Sequence, residues 1–180
     1  MKPHASLLPT LFDRLRDDAP SITTEASAAY AVSSAQLRDI VQRDLAFLLN
    51  TVNAEDLIDR RRHSAAAASS INFGMPPLTG AHVADRRWAD MERNIRRAIA
   101  DHEPRLLPDS ISVAPVLSAR ANRADTARKS PHDAHVLQFE IRALIDARPY
   151  PLSLTVQSAV DLETSRVRVV RAAHAPASAD

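Results

Sequence analysis

Asp101, His102 and Glu103 form the densest run of ionisable side chains in the chain, and two carboxylates beside an imidazole are the raw material of a metal site or a general acid. Their spacing argues against both. Consecutive residues do not share a helix face, and the i, i+3 or i, i+4 ligand pair that a helical metal site needs is missing. Other chemistries fail on composition. With no cysteine there is no thiolate ligand, no cysteine nucleophile and no disulfide. Two glycines cannot build a Walker or dinucleotide loop, and no Gly-x-Ser-x-Gly elbow presents a serine. A sugar hydrolase needs two carboxylates held across its substrate, a pairing that the sequence leaves open with Glu103 as the acid. One Trp, two Tyr and four Phe give few platforms for sugar rings, however. No catalytic residue, metal site or cofactor is expected.

The tetrapeptide Glu103-Pro104-Arg105-Leu106 has a plain structural reading. Pro104 stops a helix, Leu106 re-enters the core, and Glu103 and Arg105 are solvated. Whether simply solvated or kept for a partner, both charges are expected to be exposed in the free protein and to contribute within about 1 kcal/mol to its stability, as surface pairs do.

The elements around that tetrapeptide follow from hydrophobic periodicity. Leu7, Leu8, Leu11, Phe12 and Leu15 make the apolar stripe of a short amphipathic helix, followed by an unpatterned Ser/Thr/Ala-rich linker over residues 17–34. Ser33 or Ser34 can cap a second helix carrying Leu37, Ile40, Val41, Leu45, Leu48 and Leu49 up to Asn50. Residues 51–70 have room for another short helix, whereas Ile71 to Leu78, with one Gly and two consecutive prolines, is predicted to be extended. A third helix is predicted over His82–Ala100, with Trp88, Met91, Ile95 and Ile99 on one stripe.

After Pro104 the period changes to two. Ile111, Val113 and Pro115, then Leu137, Phe139 and Ile141, then Leu152, Leu154, Val156, Ser158 and Val160 alternate with mostly polar neighbours, and Arg166 to Val169 follow suit. Strands in succession with no helix between them pair antiparallel, so the fold class is α+β, with N-terminal helices on one face of a C-terminal antiparallel sheet of about four strands. Trp88, Met91, Ile95 and Ile99 are expected to form the main core with Leu137, Phe139 and Ile141. The expected division is 1–34 for the N-terminal helix and linker, 35–171 for one α+β domain and 172–180 for a disordered tail, with residues 119–134 as a long loop.

Composition bounds the partners. Charged residues make up 25% of the chain but nearly cancel to a net charge of +1, which gives no field that would favour nucleic acid. No apolar stretch reaches the ~20 residues needed to cross a bilayer, and the N-terminus lacks the continuous apolar centre of a signal peptide, so a cytosolic location without membrane insertion is expected.

The order of several segments carries a family resemblance. Leu8-Pro9-Thr10-Leu11-Phe12-Asp13-Arg14-Leu15, then Arg43-Asp44-Leu45 with Leu48-Leu49-Asn50-Thr51, then Asn72-Phe73-Gly74-Met75-Pro76, then Glu103-Pro104-Arg105-Leu106 ahead of an Ile-x-Val strand, resembles the TssE family. These are baseplate-wedge subunits of bacterial type VI secretion systems, similar to a wedge component of contractile phage tails and labelled lysozyme-like. Two departures stand out: Val52 occupies the place of an arginine that usually follows Leu-Leu-Asn-Thr, and the 119–134 loop is longer than expected.

The resemblance implies a structural subunit of a hetero-oligomeric assembly, binding other baseplate wedge subunits and sheath subunits. Glu103, Pro104 and Arg105 would then lie at the wedge contact, and the sheet would start the sheath lattice by accepting a neighbour's extended segment. The Leu11, Phe12 and Leu15 stripe is expected to dock mainly on a partner and to be mobile, or packed on a neighbouring copy, in the isolated protein. The rival readings are a small cytosolic adaptor and a peptidoglycan hydrolase using Glu103.

Overall fold

The structure is a computed structural model that describes residues 10, 13, 15, 20, 21, 23, 32–76, 88–116, 136–161 and 163–171. The predicted second helix forms as α1 (Ser34–Asn50), and its start shows why. Ser33 Oγ accepts the Gln36 N–H at 3.2 Å while Gln36 Oε1 accepts the Ser33 N–H at 2.8 Å, a reciprocal capping box. Leu37, Val41, Leu45, Leu48 and Leu49 form its buried stripe. At the far end Asn50 Nδ2 donates to the Ala46 carbonyl and Thr51 Oγ1 to the Phe47 carbonyl, side-chain bonds that tie down the last turn.

The chain from Thr51 to Pro76 folds back on itself through a parallel bridge between Val52 and Met75. It contains the short helix α2 (Ser64–Ala67) and one-turn 3-10 helices at Glu55–Leu57 and Ser70–Asn72. The extended conformation predicted from Ile71 onward therefore begins two residues late. No breaker stands before Gly74, so the Phe73 N–H can close the turn on the Ser70 carbonyl. Gly74 itself is required: its φ is +124°, and a Cβ there would lie 2.3 Å from the Thr51 carbonyl oxygen. That close approach lets the Met75 N–H reach the Thr51 carbonyl at 2.8 Å and the Asn53 N–H reach the Met75 carbonyl at 2.9 Å.

Helix α3 (Trp88–His102) buries Met91, Ile95, Ala98 and Ile99. It ends two residues later than predicted, with the Glu103 N–H still bonded to the Ile99 carbonyl, and Pro104 keeps Glu103 out of the helical region. The predicted start at residues 82–87 lies outside the described residues, as do residues 119–134 and 172–180.

Four strands form one antiparallel meander in the order β1 (Ser112–Pro115), β2 (Val136–Ile145), β3 (Leu152–Asp161) and β4 (Arg166–Arg171). The register puts Val113 opposite Ile141, Ile141 opposite Val156, and Val160 opposite Val167, so one face carries a continuous apolar row. Helices α1 and α3 cover that face, as the α+β expectation requires. The other face shows Gln138, Glu140, Arg142, Thr155, Gln157, Arg166 and Arg168. Phe139, Ile141, Ile95, Ile99 and Leu45 are among the most deeply buried core residues. Trp88 and Leu137, expected in the core centre, pack only at its border, with the Trp88 ring 6.3 Å from that of Phe139.

Arg105 to Leu107 extend the β1 side of the sheet. The Asp146 N–H bonds the Arg105 carbonyl at 2.7 Å and the Leu107 N–H bonds the Leu144 carbonyl at 2.9 Å. The Glu103-Pro104-Arg105 turn is thereby fixed to the end of β2.

Candidate functional site

An alternating chain of charges begins near the N-terminus and ends at Glu103. Arg43, on α1, grips Asp13 with two nitrogens at 2.6 and 3.2 Å and also holds Asp44, its Nη2 lying 2.9 Å from Asp44 Oδ1. Asp44 takes Arg105 Nη2 at 2.7 Å. Arg105 in turn clasps Glu103 through Nε at 2.6 Å and Nη2 at 2.5 Å. Thr10 adds a hydrogen bond to Asp13. Donation from Arg43, then from Thr10, lowers the Asp13 carboxyl from its ordinary value near 3.8 to about 2. The Glu103 carboxylate, followed by Asp44, raises the Arg105 guanidinium further above its already high value against the opposing effect of burial.

A groove of about 400 Å³ runs alongside, lined among others by Phe47, Leu48, Phe73, His102 and Pro104. Its walls come from four separate stretches of chain. Phe73 is held by edge-to-face contact with His102, ring centroids 5.5 Å apart, and Phe47 stands 62% exposed at the rim. Thr10 and Asp13, Arg43 and Asp44, Phe73, and the Glu103-Pro104-Arg105 turn are the same segments that carried the family resemblance.

The expected solvation of Glu103 does not hold. Glu103 is 4% exposed, because the turn at Pro104 directs it inward against Arg105, which is itself half-buried. Among the stripe residues, Leu15 is helical and 71% exposed, while Leu11 and Phe12 lie outside the described residues. Asp13 is helical as well, so the N-terminal segment touches α1 through a polar residue. Asp101, His102 and Glu103 diverge as their spacing implies: Asp101 meets Arg60, His102 meets Phe73, and Glu103 meets Arg105.

Sequence reasoning missed a second polar cluster behind the groove. Arg60 binds both oxygens of Glu55 at 2.7 and 2.8 Å and reaches Asp101 at 3.4 Å. Asn72, almost fully buried, donates to Glu55 and to the Ala67 carbonyl and accepts the Ala54 N–H. The run Arg60 to Arg62 reads as a solvated loop, and no local pattern shows that its first member turns inward. This cluster ties the 51–76 segment to α3. Hydrogen bonding from Arg60 lowers Glu55 from near 4.5 to about 2, with Asn72 adding to the effect.

A pH dependence follows. A carboxylate whose folded value is depressed supplies stability above its unfolded value and loses it as pH falls through the folded one. Glu55 should therefore cost the fold about 1–3 kcal/mol between roughly pH 4.5 and 2, a range already reduced for solvent screening. Urea melts at pH 6 and pH 3 measure this, and Glu55→Gln should flatten the dependence; an equally steep loss in that variant would assign the effect elsewhere.

Among the described residues no helix is long and apolar enough to cross a membrane. Residues 35–150 match the family described as baseplate wedge protein gp25. No curated protein and no solved structure matches the chain.

Proposed function

Because the chain belongs to the baseplate wedge protein gp25 family, a family of structural baseplate proteins, we propose that it is a wedge subunit of a cytoplasmic type VI secretion baseplate. In this reading it joins other wedge subunits through the groove beside Glu103-Pro104-Arg105 and starts the contractile sheath at its sheet edge. The observation that carries the reading is the convergence of the resemblance segments, far apart in sequence, on one ion chain and one half-apolar groove. A purely internal bridge would not need an exposed phenylalanine at its mouth. Hydrolysis is disfavoured by geometry: Glu103 and Asp44 share one guanidinium and do not face each other across an open cleft.

For the sheath contact, β4 is the better edge. On β1 the Val116 N–H bonds the Gln138 carbonyl, so by antiparallel alternation Pro115 points outward, where it has no N–H to offer. That edge is also only four residues long.

The test uses Phe47, since an exposed side chain can be truncated with a stability change within about 0.5 kcal/mol. Phe47→Ala should melt like the parent protein yet lose at least tenfold in co-purification with the other wedge subunits, as expected for an aromatic anchor worth ~2 kcal/mol or more. Undiminished co-purification would remove the groove from the wedge contact.

A further inference from the structure

Asn50, the last residue of α1, sits beside the outer edge of β4. Its Oδ1 accepts the Val167 N–H at 3.0 Å and its Nδ2 donates to the Val167 carbonyl at 2.8 Å. A side-chain carboxamide is chemically a peptide group, and here it makes both bonds that a neighbouring strand would make at that position. A further bond, from Nδ2 to the Ala46 carbonyl at 2.8 Å, ties the amide to its own helix, so it is held and not merely resting there.

The pairing of Val167 with Asn50 also fixes which peptide groups of β4 face outward. In an antiparallel ladder, alternate residues bond the same neighbour. With Val167 turned away from β3, the peptide groups of Val169 and Arg171 point outward too, while residues 166, 168 and 170 bond β3. Beside Val169 lies a cleft of about 280 Å³ between β4 and α1, lined by Asp39, Gln42, Arg43 and Ala46. It suits an extended segment whose α1-facing side chains are small or polar.

We propose that Asn50 is the end-stop that sets the register of a strand added to β4. The proposal rests on the reading of β4 as the edge that receives a sheath segment. Side-chain pattern alone cannot set that register. A slip of one residue turns every side chain to the wrong face and is strongly disfavoured, but a slip of two leaves the faces unchanged. An even-numbered slip toward the start of β4 must be excluded by something that blocks the ladder there. Asn50 fills the outward bonding position two residues from Val169, so an added strand ends there. To pass it, the strand would have to displace an amide whose three bonds include one to a helix terminus.

The chain has no cysteine, so engineered disulfides report register without background. Arg168 lies on the exposed face of β4, between the outward peptide groups of Val167, which Asn50 fills, and Val169. Arg168→Cys is co-expressed with the sheath subunit of the same machine, carrying single cysteines scanned along its added segment. Disulfide geometry accepts Cα separations of only about 4.4–6.8 Å, enough to resolve one position from the next of the same face. With Asn50 present, one position cross-links. With Asn50→Ala, a second position two residues along should appear. A single unchanged position in Asn50→Ala overturns the end-stop while leaving β4 as the receiving edge. No cross-link at any position, in either background, overturns the receiving edge and the end-stop with it. If thermal melts show that Asn50→Ala does not fold, Asn50→Asp is read in the same way: it keeps the shape and the acceptor but loses both donors. A second position there supports the proposal, and a single one contradicts it.

Discussion

Replacing Arg105 by alanine is expected to destabilise the isolated protein by about 3–5 kcal/mol, the usual cost of stranding one charge of a buried pair. Glu103 is 4% exposed, and its bonds to the Arg105 side chain use both carboxylate oxygens. Without the guanidinium it would retain only the Arg105 backbone N–H, at 3.2 Å. Asp44 would lose the same partner, though it keeps Arg43. For a chain of this size the loss corresponds to a fall in melting temperature of roughly 10 °C. The double variant Glu103→Gln with Arg105→Met should recover much of the stability, because removing both charges removes the penalty that one leaves behind. A cycle in which the double variant is as unstable as Arg105→Ala would show that packing by the arginine stem, and not the charge pair, holds the turn. The practical consequence is that Arg105→Ala tests folding. It cannot by itself test assembly.

Truncating Ile95 to alanine should cost about 2–5 kcal/mol, the range for a large aliphatic side chain deleted from a close-packed interior. Ile95 is 1% exposed in the middle of α3, on the stripe with Met91 and Ile99 that covers the apolar face of the sheet. The upper half of the range applies if the site cannot collapse. Its neighbours lie on two different layers, which limits how far either can move in. Ile95→Val should cost only about 0.5–1.5 kcal/mol. Denaturant melts that place Ile95→Ala near zero would mean that α3 presents a different face to the sheet.

The fold was legible where burial is one-sided and periodic. Leu37, Val41, Leu45 and Leu48 on α1, and the alternation along β2 and β3, each place a whole element with one face inward, so type and face follow from spacing alone. Interiors set by geometry at a turn were not legible. Glu103 reads as solvated because it is charged and next to a proline, yet the same proline turns it inward against Arg105. Arg60 reads as one of three solvated arginines, and only the fold brings it between Glu55 and Asp101. The candidate site is proposed in a different way, through the order of segments that resemble one family. Why Arg43, Asp44 and Phe73 belong with Glu103-Pro104-Arg105 is a matter of distance in space, which periodicity does not encode.

The burial of Glu103 also refines its proposed role at a contact. A charge already neutralised by Arg105 and Asp44 gives a partner little bare charge to pair with. The turn instead presents Pro104 next to Phe47 and Phe73, with the ion chain holding that surface in shape. In such a contact the exposed aromatic contributes most of the affinity and the charges supply rigidity.

Side-chain footprinting of the chain, free and assembled with the other wedge subunits, tests this most directly. Phe47, 62% exposed in the free protein, should lose most of its labelling on assembly, whereas Tyr150, 78% exposed in the β2–β3 connection, should keep its own as an internal reference. Equal labelling of Phe47 in both states would contradict the account, since the groove beside Glu103-Pro104-Arg105 would then lie open in the assembled wedge.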